Sequence, residues 1–244
     1  TWCIDDIGCC ETTGNISDRQ QLFLTNPLTP RNFYQLHTPT VTDASGNSIE
    51  ADNQLFTFYY PGSGDVIINE IFADPSPPVM LPEAEYIELY NVSSENIWLN
   101  NWKLFVNTRG ISLPPFILPS RKCVVLCDRE FAPQFNPGLF VISVGNMPAL
   151  RNSGAQIRLQ DQSGKLIHAI EYSDEWFNDS HKKEGGWSLE MIDPTDPCAG
   201  IMNWKESESF KGGTPGEKNS VFQPKQISKF STLWRAAVSD SGSL

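Results

Sequence analysis

The stretch AQIRLQDQSGKLIHAIEY, residues 155–172, predicts two β-strands joined by a tight turn. Apolar and polar side chains alternate through residues 155–161 and again through residues 165–172, which is the two-residue period of a half-buried strand. Between the two runs, residues 162–164 (Gln-Ser-Gly) supply the short, glycine-containing connection that is typical of a hairpin. The stretch therefore indicates an antiparallel pair of strands.

Similar patterns recur on both sides of this hairpin. In EYIELYN (85–91), Ile87 and Leu89 share the face that we expect to meet a core. The other predicted strands are VIINEIF (66–72), IWLNNWKLF (97–105), RKCVVLCD (121–128), FVISVG (140–145) and WSLEMI (187–192). No segment has sustained 3.6-residue apolar periodicity with helix caps, so the sequence predicts an all-β protein with minimal helix.

The first 64 residues predict a smaller β module. NFYQLHTPTV (32–41) and QLFTFYY (54–60) are strand-like, and DASGN (43–47) between them carries the residues that turns require. Because 64 residues are few for a full sandwich, we expect residues 1–64 to be the C-terminal part of such a module. The predicted organisation is this partial module, a β-sandwich over residues 65–220, and a linker or first strand of a further repeat over residues 221–244.

Composition excludes two classes of partner. The net charge of −11 and the pI near 4.7 repel duplex DNA and anionic lipid, and the basic runs are only two residues long. No apolar run approaches the roughly 18 residues that a membrane-spanning helix needs. We therefore expect no nucleic-acid partner and no membrane span.

An ordered set of motifs resembles the bacterial lamin-tail domain. VIINEIFADP, EYIELYN, WLNNWKLF, LRNSGAQIRLQDQSGKLIHAIEY, EGGWSLEMID, NW and GGTPGEKNS follow one another between residues 66 and 220 in the order of that family. The resemblance implies an immunoglobulin-like β-sandwich. It also implies an accessory module of a secreted, periplasmic or cell-surface protein, since bacterial members accompany Ig-like repeats or hydrolase domains.

The flanking segments resemble parts of a different family. YQLHTPTVTDASGNSIEADNQLFTFYYP (34–61) is similar to the closing strands of bacterial Ig-like repeats of surface-layer and adhesin-type proteins. FSTLWRAAVSDSGSL (230–244) would then be the opening of another repeat. The resemblance implies that the chain is an excerpt from a larger array.

Acidic residues around the proline-rich loop 74–82 suggest the single candidate metal site. Carboxylates that converge at a loop can hold Ca²⁺, and the candidate ligands are Glu70, Asp74, Glu85 and Glu88. No DxDxDG spacing supports calcium. The alternative is a solvated sandwich edge at which Glu70 and Glu88 bond to the backbone or to an arginine. No other cofactor is predicted.

The six cysteines permit disulfides without proving them. Cys123 and Cys127 lie four residues apart on one predicted strand, about 13 Å from each other, which is too far for a direct bridge. Cys198 lies in an irregular segment, and a bridge from Cys127 to Cys198 would pin that segment to the sandwich. The alternative is that the cysteines are small buried apolar residues.

The seven tryptophans allow either core packing or stacking on sugars. Trp98 and Trp102 share one face if their strand stays regular, as a glycan-binding surface requires. Trp102, Trp187 and Trp204 are assigned structural roles, and Gly185 and Gly186 are assigned to a sharp turn or a close backbone approach before WSLEMI. On that pattern Trp187 shares the core face of its strand with Leu189 and Met191.

No catalytic motif is present. The sequence contains no GxSxG, HExxH, P-loop or GxGxxG pattern, and His168 lies in an alternating strand as a half-exposed residue rather than a ligand. We therefore expect a non-enzymatic attachment or scaffolding module that binds an unidentified protein or cell-surface partner. The alternatives are a carbohydrate-binding module with a glycan ligand, or the accessory domain of a secreted hydrolase.

Overall fold

The computed structural model describes residues 2–4, 8–10, 24, 26, 28–29, 33–42 and 45–225. These residues fall into two compact units, the first ending at Tyr60 and the second beginning at Pro61. The boundary predicted from the sequence lies after residue 64. The Gly64 amide donates a hydrogen bond to the Ile167 carbonyl at 2.9 Å, which ties this joint to the second unit.

The described part of the first unit is a small antiparallel sheet. Its strands are β1 (Trp2–Ile4), β2 (Gly8–Cys10), β3 (Phe33–Thr38), β4 (Val41–Thr42), β5 (Ser48–Ile49) and β6 (Asp52–Thr57). The sheet order is β2-β1-β3-β6, while β4 and β5 form a separate two-stranded ribbon. The predicted pairing of two strands through a turn is confirmed, and Gly46 adopts φ +88° in that turn.

The second unit is built from strands and short turns. Its strands are β7 (Val66–Phe72), β8 (Tyr86–Asn91), β9 (Ile97–Trp98), β10 (Lys103–Val106), β11 (Arg109–Ser112), β12 (Ile117–Leu118), β13 (Cys123–Asp128), β14 (Val141–Val144), β15 (Gly154–Gln160), β16 (Leu166–Ser173), β17 (Leu189–Met191) and β18 (Trp204–Glu206). Single 3₁₀ turns occupy Ala132–Gln134, Asp174–Trp176, Lys182–Glu184 and Gly200–Asn203. The prediction of an all-β fold is confirmed. In the described part of the chain, no helix has the length and apolar character that crossing a membrane requires.

Two sheets form the sandwich of the second unit. The larger has the order β14-β13-β8-β7-β17-β18, and the smaller has the order β11-β10-β15-β16. All neighbours pair antiparallel except β13 and β14, which are parallel. Strands β9 and β12 form an additional two-stranded ribbon. The predicted β15–β16 hairpin is confirmed, with a register shift between Leu159 and Gln160.

The central strands of the larger sheet are buried on both faces. Every residue of β7 is buried, and so are both faces of β8 as far as Leu89. One face carries Ile68, Ile71, Ile87 and Leu89, which pair across β7 and β8. The opposite face is apolar at one end, where Phe72 and Tyr86 pack with Val125, Cys127 and Phe135. A sheet covered on both sides explains why VIINEIF is nearly continuously apolar.

The predicted strand 97–105 is interrupted. It divides into β9 and β10 at a turn in which Asn101 adopts φ +59° and the Trp102 amide donates to the Leu99 carbonyl. Asparagine tolerates this left-handed conformation better than most residues, because its short side chain can bond locally. Strand β9 therefore does not continue into β10 of the smaller sheet, and it pairs with β12 instead.

Candidate functional site

Three glutamates lie side by side on the covered face of the larger sheet. Glu190 in β17 stands directly opposite Glu70 in β7, and Glu70 stands opposite Glu88 in β8. Directly opposed residues point to the same face of a sheet, so the three carboxyl groups form one row. All three side chains are buried. We call Glu70, Glu88 and Glu190 the carboxylate row.

Residues 212–221, which we call the covering segment, bond to this row. The Thr214 amide donates to Glu70 Oε1 at 2.8 Å, and the Gly216 amide donates to Glu88 Oε2. The Thr214 hydroxyl donates to Glu190 Oε1 at 2.9 Å. Each glutamate thus accepts a hydrogen bond from the covering segment, which closes this face of the sheet.

Hydroxyl groups are further donors to the row. Tyr86 Oη and Ser188 Oγ donate to Glu70 Oε1 at 2.7 and 2.6 Å, and Ser220 Oγ donates to Glu190 Oε2 at 2.8 Å. The second oxygen of Glu70, Oε2, is buried without a hydrogen-bond partner in the described part of the chain. A buried carboxyl oxygen without a donor favours the neutral acid over the carboxylate.

Burial and the neighbouring charges raise the pKa values of Glu70 and Glu88. Burial raises the pKa of Glu70 well above its ordinary value, and the charges of Glu88 and Glu190 add to this effect. Burial also raises the pKa of Glu88 to about 7, although the Gly216 amide, Asn69 and Cys123 stabilise its ionised form. Glu88 therefore exchanges its proton near neutral pH, and the sites of Glu70 and Glu88 are unsuited to a permanent negative charge.

Two amide side chains lie beside the row. Asn69 Nδ2 donates to Glu88 Oε1 at 2.8 Å and to Asn219 Oδ1 at 2.9 Å, while Asn219 Nδ2 donates to the Met191 carbonyl at 2.8 Å. Asn69 occupies the register shift of β7, between Ile68 and Glu70. These bonds fix the covering segment to the sheet at a second point.

The four predicted calcium ligands do not converge. Glu70 and Glu88 belong to the carboxylate row, whereas Glu85 Oε2 accepts from the Leu150 amide at 2.7 Å and lies near Asp74. Of the described residues, no group of three or more His, Cys, Asp or Glu side chains has an arrangement that could hold a metal ion. The bonding of Glu70 and Glu88 to backbone amides agrees with the alternative prediction, but the face is buried rather than solvated.

The sequence did not single out Glu190, Asn69 or Asn219. A signal for Glu190 existed, because the alternation in WSLEMI places it on the face opposite to Leu189 and Met191. Asn69 and Asn219 lie 150 residues apart in sequence, and no local pattern indicates that their amides meet.

The predicted Cys127–Cys198 disulfide is not formed. Cys127 and Cys198 are both free thiols, the former buried in β13 and the latter exposed in the segment before a 3₁₀ turn. Cys127 packs with Phe72, Tyr86 and Phe135, so its side chain serves as a small apolar core residue. Cys123 is also free, and burial together with the Glu88 charge raises the pKa of its thiol.

Trp102 and Trp204 are buried, whereas Trp98 is exposed. Trp102 and Trp204 are only 2% and 4% exposed, and the Trp204 ring lies 5.9 Å from that of Trp176. Trp98 is 52% exposed. The shared face expected for Trp98 and Trp102 is wrong, because β9 ends at Trp98 and the chain turns before Trp102.

Trp187 and its neighbouring glycines lie against the proline-rich loop. Trp187 is half-buried, with Lys182 Nζ 4.4 Å from its ring centroid, while Leu189 and Met191 are buried. Strand β17 begins only at Leu189, so alternation does not extend back to Trp187. Gly185 and Gly186 adopt φ +117° and +78°, and a Cβ on either would lie within 2.3 Å of a carbonyl oxygen of that loop. The close backbone approach predicted for this pair is therefore present.

His168 is buried rather than half-exposed. Its Nδ1 accepts a hydrogen bond from the Ile68 amide at 3.2 Å, which joins β16 to β7 across the sandwich. Burial lowers the pKa of His168 to about 4, so the imidazole is neutral at physiological pH. The structure gives His168 a hydrogen bond that joins two strands. That His168 is not a metal ligand stays a prediction.

The β9–β12 ribbon presents the second feature of interest. Trp98 stands directly opposite Ile117 in this ribbon, and the two side chains are 52% and 56% exposed. Their strand neighbours Ile97 and Leu118 are buried. One face of the ribbon is therefore packed against the protein, and the other exposes apolar side chains. Exposed aromatic residues beside aliphatic ones are typical of protein interfaces.

A protein-family model matches part of the second unit. The family model of the Lamin Tail Domain matches residues 61–174. No curated protein matches the chain.

Proposed function

Because the chain carries a lamin tail domain over residues 61–174, we propose that it is a non-catalytic attachment module that binds another protein. The family comprises β-sandwich domains with structural and protein-interaction roles. We propose further that the module belongs to a secreted, periplasmic or cell-surface protein with several domains. The resemblance of the flanking segments to bacterial Ig-like repeats supports this location.

The observation that carries the proposal is the exposed Trp98–Ile117 pair. A tryptophan and an isoleucine side by side on a rigid ribbon provide the large apolar contact area that dominates binding energy at protein interfaces. The buried side chains of Ile97 and Leu118 anchor the ribbon, and the Leu99 amide, which donates to the Phe116 carbonyl at 2.9 Å, holds its two strands together. A partner therefore meets a preorganised surface and pays little ordering entropy.

The carboxylate row supports a structural role for the rest of this unit. Its carboxyl groups are closed off by the covering segment and bonded by protein donors. General acid–base catalysis requires a group within hydrogen-bond reach of a substrate. The row instead fastens residues 212–221 to the sheet.

Site-specific photo-crosslinking in the native host tests the proposal. Trp98→p-benzoylphenylalanine in the full-length protein should form a covalent adduct with one reproducible protein. The matched control places the same photo-crosslinker at Glu171, an exposed residue of β16, where no such adduct is expected. Ile117→Glu should abolish the adduct at position 98, because a charge in the centre of an apolar contact is strongly unfavourable.

Three results would contradict the proposal. These are an equal yield of adducts at positions 98 and 171, adducts at position 98 that Ile117→Glu leaves unchanged, or adducts formed with polysaccharide alone. The last result would support the carbohydrate-binding alternative. Protease treatment tests the location, since a surface protein is digested on intact cells and a periplasmic protein only after the outer membrane is permeabilised, while a secreted protein is found in the medium.

A further inference from the structure

A cavity of about 410 Å³ opens where the turn before β13 meets the covering segment and the residues after it. Its lining includes Tyr90, Arg121, Lys122, Lys218 and Phe222. It is distinct from the apolar ribbon, but the turn that carries Arg121 follows β12 directly. Ile117 and Arg121 are four residues apart, so at most about 14 Å of chain separates the ribbon from the cavity.

The cavity has an uncompensated positive charge. In the part of the chain that the structure describes, Arg121, Lys122 and Lys218 form no salt bridge, and what distinguishes them from other unpaired cations is that all three line one cavity. Glu217 also lines the cavity, but Lys211 Nζ lies 2.9 Å from its Oε1 and neutralises it. Three unpaired cations thus gather at one cavity of a chain whose net charge is −11.

Arg121 occupies a position that its backbone conformation disfavours. Its φ is +59°, in the left-handed region, and the turn is held by the Arg121 amide donating to Asn91 O at 3.1 Å. For a residue with a Cβ this conformation is less favourable than it is for glycine. The guanidinium group is therefore placed at the cavity at the expense of local stability.

The remaining walls include aromatic rings and buried amides. Lys218 Nζ lies 4.1 Å from the centroid of the Phe222 ring, which places a cation and an apolar surface side by side. The buried amides of Asn69 and Asn219 form part of the lining and are already bonded to each other. A ligand for this cavity combines negative charge with an aromatic or aliphatic group.

We propose that this cavity binds an acidic peptide segment of the partner protein, with carboxylates at Arg121, Lys122 and Lys218 and an apolar side chain against Tyr90 and Phe222. The proposal rests on the protein-binding function proposed above and specifies the chemistry of the partner. Duplex nucleic acid and anionic membranes extend well beyond the cavity and meet the rest of a surface whose net charge is −11, whereas a short acidic peptide meets mainly the three cations. An acidic polysaccharide needs an extended line of cations, whereas these three surround one cavity.

Fluorescence anisotropy with a labelled Gly-Glu-Glu-Phe-Asp-Gly peptide and the whole chain tests this proposal. Arg121→Gly should weaken binding about tenfold while leaving the fold intact, because glycine suits the left-handed conformation. Lys218→Gln should weaken binding to a similar extent. The matched control, Arg109→Gln, removes one exposed cation from β11 and should leave the affinity unchanged.

Further probes separate electrostatic recognition from its alternatives. Raising the salt concentration from 50 to 500 mM should weaken binding, and a Gly-Gln-Gln-Phe-Asn-Gly peptide should not bind. The proposal is overturned if the acidic peptide does not bind, if Arg109→Gln and Arg121→Gly weaken binding equally, or if heparin binds in place of the peptide. A photo-adduct at position 98 without peptide binding would contradict only this proposal. Peptide binding without a photo-adduct would contradict only the role of the ribbon.

Discussion

At the level of single residues, the carboxylate row is held together by hydrogen-bond donors rather than by cations. Each glutamate accepts bonds from amides or hydroxyls, and the described residues place no lysine, arginine or histidine in an ion pair with Glu70, Glu88 or Glu190. Burying an ionised carboxylate without a counterion is costly, so the neutral form is favoured. This arrangement makes the stability of the fold depend on pH.

We predict that stability decreases as the pH rises from 6.5 to 8.5. The pKa of Glu88 is raised to about 7 and that of Glu70 is raised well above 4.5, so the folded state binds more protons than the unfolded state in this range. The stability that a raised pKa contributes is complete at pH values below the pKa of the unfolded state. It is lost as the pH rises through the pKa of the folded state. The expected loss of about 2 kcal/mol lowers Tm by roughly 4–8 °C, measurable by calorimetry.

The choice of pH range excludes the opposing effect of His168. The pKa of His168 is lowered to about 4, so the stability that its neutral form contributes is complete above pH 6.5. That stability is lost as the pH falls from 6.5 through 4. The double variant Glu70→Gln/Glu88→Gln should have a flat Tm between pH 6.5 and 8.5. Glu171→Gln, at an exposed position of β16, should retain the parent slope. A flat profile in the parent protein would show that Glu70 and Glu88 are already ionised at pH 6.5.

At the level of secondary-structure elements, the proline-rich loop is joined to the strands by glycines. A Cβ on Gly185 would lie 2.1 Å from Ser76 O, and one on Gly186 would lie 2.3 Å from Pro77 O. Gly212 approaches the Gly186 carbonyl in the same way, at 2.2 Å. These contacts join the loop, the residues before β17 and the covering segment in one packed layer.

We predict that Gly185→Ala destabilises the fold by about 3 kcal/mol or more. The added methyl group meets a backbone carbonyl that cannot move independently, and φ +117° is unfavourable for alanine. The control is Gly164→Ala, which has a comparable φ of +88° but open space around the position. It should cost only about 1–2 kcal/mol, from the backbone alone. Urea unfolding measures the loss of unfolding free energy in each variant. Equal losses for Gly185→Ala and Gly164→Ala would show that the loop moves to accept the methyl group and that the close approach adds no cost.

At the level of the whole molecule, the sandwich extends beyond the matched family region. The match ends at residue 174, but β17, β18 and the covering segment follow it. Strand β17 pairs with β7 in the interior of the larger sheet, and residues 212–221 supply donors to the buried carboxyl groups. Without them, one edge of β7 and the carboxylate row would be exposed.

We predict that a fragment of residues 61–174 does not fold cooperatively, whereas residues 61–225 do. The shorter fragment loses the strand that covers β7 and leaves Glu70 and Glu88 without their backbone donors, which is a cost of several kcal/mol. Urea unfolding followed by tryptophan fluorescence distinguishes a cooperative transition from a gradual one. A cooperative transition in the 61–174 fragment, with the midpoint of the longer one, would contradict this role of the C-terminal segment.

The sequence by itself determined the fold class and most of the strands. Alternation at every second residue is a local property, so the β15–β16 hairpin and the pairing of β3 with β6 follow from short stretches of chain. The family could also be recognised from ordered motifs, which the match over residues 61–174 confirms.

Only the tertiary structure decided which distant side chains meet. Glu70 and Glu190 are 120 positions apart in sequence, and the pairing of β17 with β7 brings them together. The tertiary structure also decided the roles of one cysteine and two tryptophans. Cys127 packs in the core, and a turn between Trp98 and Trp102 places them on different elements. Strand periodicity specifies two faces for each strand, but whether a face is buried depends on what packs over it. That choice is made by long-range packing, which local sequence patterns do not encode.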